Sequence, residues 1–148
     1  MVRVELDTFI ERPIEEVFSQ LINVSDYTRW MPKRGIFIRS GQTSDGPMGV
    51  GTTFYDRGWM GTFRGEIVAF EPPTRVSFRE QLRLLGVPIM EARPGYELTS
   101  TSTGTRVKHW AEGELFGPFK VMQPMAARLA HGERKRTLDA LKVSLEQG

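Results

Sequence analysis

The repeat of the chain changes at Pro13. Before it, Val2, Val4, Leu6, Thr8 and Ile10 alternate with Arg3, Glu5 and Asp7, and a period of two describes a strand buried on one face. After it, Ile14, Val17, Phe18, Leu21 and Ile22 recur at helical spacing, which describes an amphipathic helix. Proline suits the first turn of a helix, where its missing N–H would go unpaired anyway. Glu15 and Glu16 then lie near the positive end of the helix dipole. Ser25 is the expected cap of a second short helix, which Pro32 ends.

From Gly35 onward the pattern is that of strands. They are expected over 36–39, 51–56, 61–70, 74–84, 89–99 and 105–115. Polar or Gly/Pro-rich breaks at 41–47, 57–58, 71–73, 86–88 and 101–104 separate them at hairpin-like spacing, so an antiparallel meander is expected. Pro94-Gly95 inside the fifth of these marks a bulge, an edge or a further turn. A helical tail begins at Gly117-Pro118. Phe119, Met122, Ala126, Leu129, Leu138, Leu141 and Leu145 form its expected sheet-facing stripe, and Pro124 is expected to kink it by freeing the Lys120 carbonyl.

Composition narrows the function classes. The 148 residues, 39% hydrophobic and 26% charged, match one ordinary globular domain. No apolar run reaches the roughly 18–20 residues that span a bilayer, and Met1-Val2-Arg3-Val4-Glu5 lacks the core of a secretory signal. With no cysteine there is no disulfide and no thiolate chemistry, so a cytoplasmic location is the default expectation. The net charge is only +2 and the arginines are scattered among acids, which argues against a nucleic-acid partner. The two histidines, His109 and His131, have no ligand spacing around them, so neither a metal nor another cofactor is expected.

The order of elements implies a cavity. An antiparallel sheet of about seven strands needs one face covered, and only the tail helix is long enough. One helix is about 10–12 Å wide, so a curved sheet wrapped round it leaves a gap near the short helices, where small-molecule sites form. The pieces Pro13-Ile14-Glu15-Glu16-Val17-Phe18, Asp26-Tyr27-Thr28-Arg29-Trp30-Met31-Pro32, Val50-Gly51-Thr52, Ile67-Val68-Ala69-Phe70-Glu71-Pro72-Pro73, Tyr96-Glu97-Leu98 and Gly104-Thr105-Arg106-Val107 follow one another in an order similar to that of the START-like, Bet v 1-like superfamily. Within it, the chain most resembles the polyketide cyclase/dehydrase and lipid-transport group. The resemblance covers nearly the whole length and implies an α+β helix-grip fold. It carries no catalytic signature, and the superfamily holds cyclases, lipid and quinone binders and hormone receptors alike.

Strand parity nominates the inner face. In 105–115 the charged set Arg106, Lys108, Glu112 and Glu114 must face out, which turns Val107, His109, Ala111, Gly113 and Leu115 inward. The same logic turns Phe63, Gly65, Ile67 and Ala69 inward, with Val76, Phe78, Tyr96 and Leu98. Small residues at Gly65, Ala69, Ala111 and Gly113 leave room there. The expected ligand contacts are Trp30, Phe54, Phe63, Ile67, Phe78, Tyr96, Leu98 and His109. Trp59 and Met60 join them as a hairpin tip, with Phe119, Met122 and Met125 on the tail helix.

Three readings follow. The first is a carrier or binding protein for a small hydrophobic molecule such as a lipid, quinone or aromatic polyketide. His109, with Tyr55 or Tyr96, would orient the ligand's polar end. The second is a cyclase or dehydratase with His109 as acid or base. The third is an interaction module, such as a homodimer, that uses Trp59 and Trp110 as anchors; alternatively Trp110 packs on arginine stems.

Overall fold

The computed structural model describes residues 2–23, 27–30, 37–58 and 61–147. The elements run β1 (Val2–Ile10), α1 (Ile14–Ile22), α2 (Tyr27–Trp30), β2 (Phe37–Gln42), β3 (Thr53–Gly58), β4 (Gly61–Glu71), β5 (Arg75–Leu84), β6 (Val87–Ser100) and β7 (Thr105–Leu115). A 3-10 helix (Gly117–Met122) then leads into α3 (Gln123–Gln147). The seven strands form one antiparallel sheet in the order β1-β7-β6-β5-β4-β3-β2. This is the helix-grip arrangement, a curved sheet held round a long C-terminal helix.

The first helix forms as the sequence implies. Ile14, Val17, Phe18 and Leu21 are its buried face, and the Pro13 carbonyl accepts from the Glu16 and Val17 N–H groups at 3.1 and 3.2 Å. The Phe18 ring meets Phe70 at 5.6 Å between centroids. Ser25 and Pro32, the expected cap and stop of α2, lie outside the described residues.

Four local expectations are corrected. The register shifts between Ile67 and Ala69, which reverses parity after a bulge at Val68. Phe70, opposite Val76, therefore joins the core, and Ala69 pairs with Ser77 on the other face. Strand β2 runs on through Gly41 and Gln42, where a turn was expected, because Tyr55 lies over the bare Cα of Gly41. The β5–β6 turn is Leu85-Gly86, so Val87 and Pro88 already belong to β6. Pro124 does not kink a helix. It is the second residue of α3, where no N–H is missed, and the Lys120 carbonyl accepts from the Gln123 N–H.

The outer face of the sheet is tied together by charge. Arg3, Glu112, Arg93, Glu91, Arg79 and Glu66 alternate in sign across β1, β7, β6, β5 and β4. Each exposed pair is worth little, about 0–1 kcal/mol, but the ladder is continuous. Burial alone would raise the Glu91 carboxyl. Hydrogen bonds from Gln81 and Arg79, with the charges of Arg79 and Arg93, instead hold it below the usual carboxylate range.

Trp110 belongs to the same outer face, as parity required, and it packs within this chain. A Cβ on Gly95 would stand 2.4 Å from its indole, and the Arg75 guanidinium lies 5.6 Å from its ring centroid. Glycine at 95 is therefore what lets the indole lie flat on the sheet. Gly95→Ala is expected to lower unfolding stability by about 2 kcal/mol through overpacking. Most of that loss returns in a Trp110→Leu background, a non-additivity that urea denaturation of the two single variants and the double variant measures.

Candidate functional site

The inner face of α3 changes size along its length. Leu138 and Leu141 are buried in the main core. Toward the N-terminal end the inward positions become Thr137, Glu133, Ala130, Ala127 and Ala126. Opposite these alanines the strands also carry small residues: Ala92 on β6, and Ala111 and Gly113 on β7. A Cβ built on Gly113 meets only the Glu91 carbonyl, at 4.0 Å. Small facing small across the layer leaves a cavity of about 90 Å³. One water needs roughly 10–15 Å³ on this measure, so there is room for several waters or a compact ring.

Apolar atoms dominate the wall, with Phe63, Met90 and Leu115 as its larger contributors. Five charged residues also border it: Glu80 from β5, Glu112 and Glu114 from β7, and Glu133 and Arg134 from α3. Glu80 and Glu133 are buried. Glu133 pairs with Arg136 one turn on, and its carbonyl accepts from the Thr137 hydroxyl at 2.9 Å.

His109 lies just beyond the cavity, one side-chain step of roughly 7 Å from Ala111 on the same strand face. It is 1% exposed and stacks on Tyr96 at 4.2 Å with the rings 13° apart. Its Nδ1 is 2.8 Å from the Gly95 carbonyl. A carbonyl only accepts, so the proton sits on Nδ1 and leaves Nε2 as a bare acceptor. Nε2 is buried with no hydrogen-bond partner among the described residues. Burial first, then the nearby Arg134 charge, lowers the imidazole pKa from 6.5 to about 3, against a smaller opposing effect of the Gly95 hydrogen bond.

The other sequence-nominated residues distribute as follows. Phe63 lines the cavity. Trp30, Phe54, Ile67, Phe78, Tyr96 and Leu98 sit in the adjoining core, where Phe78 meets Phe54 and Tyr96 edge-on at 5.6 and 6.5 Å. Gly65 leaves no space, because a Cβ there would be 2.7 Å from the Phe54 ring. Tyr55, on the side of β3 opposite Phe54, covers Gly41 and not the cavity. Phe119 is half-buried on the 3-10 helix, outside the cavity wall. Met122, Met125 and Leu129 are exposed, since the helix turns its alanines to the sheet and its larger apolar residues to solvent. Trp59 and Met60 lie outside the described residues.

The alanine face was the missed signal. Positions 126, 127, 130, 133, 134 and 137 follow helical spacing, but of these the expected stripe held only Ala126, because larger neighbours drew it elsewhere. Extending the Val76/Phe78 parity by one step would also have turned Glu80 inward.

The family described as polyketide cyclase / dehydrase and lipid transport matches residues 1–146. The chain belongs to that family. No curated protein matches the chain significantly. Solved structures share its fold. A START superfamily protein from Mycobacterium smegmatis has a TM-score of 0.79 at 14% identity, over 98% of this chain and 97% of that one. Protein MLL2253 from Mesorhizobium loti gives 0.73 at 20% identity, over 98% and 97%. The di-domain ARO/CYC StfQ of the steffimycin biosynthetic pathway gives 0.70 at 14% identity, over 99% of this chain and 51% of StfQ. Among the described residues no helix is long and apolar enough to cross a membrane.

The depressed His109 pKa sets a pH dependence. The folded chain refuses a proton that the unfolded chain accepts, so the stability it contributes is whole above pH 6.5 and is lost as pH falls toward 3. The expected loss is up to about 1.4 kcal/mol per pH unit below 6.5. Urea denaturation at stepped pH checks it, and His109→Gln is expected to flatten the slope.

Proposed function

We propose that this chain encloses a small, mostly apolar molecule bearing one hydrogen-bond donor, and acts as its carrier or binding protein. The observation that carries this reading is the pairing of an apolar cavity with a neighbouring imidazole fixed as an acceptor. Membership of a family that includes lipid transport is consistent with it.

The two contributions divide the work. Apolar enclosure yields about 25 cal/mol per Å² of surface removed from water, which sets affinity. One hydrogen bond to Nε2 adds about 1 kcal/mol, which sets orientation. An acceptor selects alcohols, phenols or quinols over their ethers, ketones or quinones.

The state of His109 also favours binding over acid–base catalysis. A general acid or base works best with a pKa near the working pH. An imidazole with a pKa of about 3 holds no proton on Nε2 to give at neutral pH and is a weak base.

Calorimetric titration with naphthol and with its methyl ether tests the reading. The account expects naphthol to bind about fivefold tighter, and His109→Leu to erase that preference while retaining affinity for the ether. Equal binding of both by the native chain, or binding of neither, contradicts it.

A further inference from the structure

The exposed apolar surface of this chain gathers at one end. Of the ten large hydrophobic side chains exposed among the described residues, seven belong to two segments. Leu84, Leu85 and Val87 stand at the β5–β6 hairpin. Val121, Met122, Met125 and Leu129 follow the 3-10 helix and the first turns of α3. The segments adjoin: Met90 pairs with Leu115, and the Phe116 N–H donates to the Ile89 carbonyl at 3.0 Å. Both flank the cavity, whose wall includes Met90, Leu115 and Gln123.

The hairpin tip is built against local preference. Leu85 has φ 51° and Gly86 φ 82°, and a two-residue turn with both φ positive favours asparagine or glycine first. Leucine in the left-handed region costs about 1–2 kcal/mol. Leu85 is also 96% exposed, so packing within the chain does not compensate for that cost. A bulky apolar residue is held out into solvent.

Charge identifies what meets it. Residues 81–90 contain Arg83 and no acid; residues 115–132 contain Lys120 and Arg128 and no acid. Of the acids that border these stretches, Glu80, Glu91 and Glu133 are buried and Glu114 is half-buried, so the exposed charges within both apolar segments are the cations Arg83, Lys120 and Arg128. A second copy meeting this surface across a two-fold axis would set the same cations against each other. A bilayer with anionic headgroups complements both features, accepting apolar side chains at the headgroup–acyl boundary and cations at its phosphates.

We propose that this end docks on the surface of an anionic phospholipid bilayer. Leu85 and Val121 enter the interface, and Arg83, Lys120 and Arg128 lie against lipid phosphates. The elements beside the cavity are thereby set at the hydrocarbon boundary. This docking goes beyond the ligand reading and does not depend on His109.

Co-sedimentation of the full chain with vesicles tests it, comparing pure phosphatidylcholine with phosphatidylcholine containing about one-third phosphatidylglycerol. The chain is expected to pellet with the anionic vesicles, and raising salt from about 0.1 M to about 0.5 M weakens this. Leu85→Ser/Val121→Ser and, separately, Lys120→Gln/Arg128→Gln each lower the partition coefficient about tenfold. All four side chains are exposed, so circular dichroism melts stay unchanged. No sedimentation with anionic vesicles, or sedimentation that neither double variant alters, overturns the proposal. So does a native dimer that Leu85→Ser/Val121→Ser converts to monomer, which would assign the surface to a second copy.

Discussion

The inner face of the C-terminal helix tapers, and the interior takes its form from that taper. Leu138 and Leu141 fill the space between helix and sheet at one end, while Ala126, Ala127 and Ala130 do not fill it at the other. A packed interior relaxes only in part toward such a deficit. Here the strands opposite are held on their outer face by the charge ladder from Arg3 to Glu66 and by backbone pairing with their neighbours in the sheet. The helix is anchored by its leucine half. Space is therefore retained where alanine faces alanine and glycine.

The same taper brings polar groups inside. Where leucines give way, Thr137, Glu133 and Arg134 follow on the helix, with Glu80 and His109 on the strands. Buried polar groups are costly unless satisfied. The imidazole meets part of this by staying neutral and giving its one N–H to Gly95, which leaves Nε2 unpaired among the described residues. That bond fixes the tautomer and hence the kind of ligand atom that suits Nε2. Pro94 shares in the arrangement, since it has no N–H to offer and the β5–β6 pairing lapses between Ser77–Gly95 and Glu80–Ala92.

Much of this was legible in the sequence, for identifiable reasons. The charges at every second position, Arg106, Lys108, Glu112 and Glu114, left β7 a single orientation, which turned His109 inward. Parity failed in β4 because one extra residue at Val68 inverts every later side chain, and a bulge has no reliable sequence mark there. On the 3-10 helix and α3, size misled: Met122, Met125 and Leu129 have the apolar character of a core stripe, yet the alanines face the sheet. Gly65 and Gly113 look alike in sequence. Only the packing distinguishes a glycine filled by Phe54 from one that opens a cavity.

The central claim, that the space beneath the alanine half of the helix holds a small donor-bearing apolar molecule, is tested most directly by native mass spectrometry of gently purified protein. Solvent extraction and identification of whatever is released complete the measurement. A mass excess is expected that denaturation removes and that extraction returns as an apolar compound carrying a hydroxyl or N–H group. Protein that shows only its bare mass, and stays bare after incubation with phenolic or lipid alcohols, would contradict it.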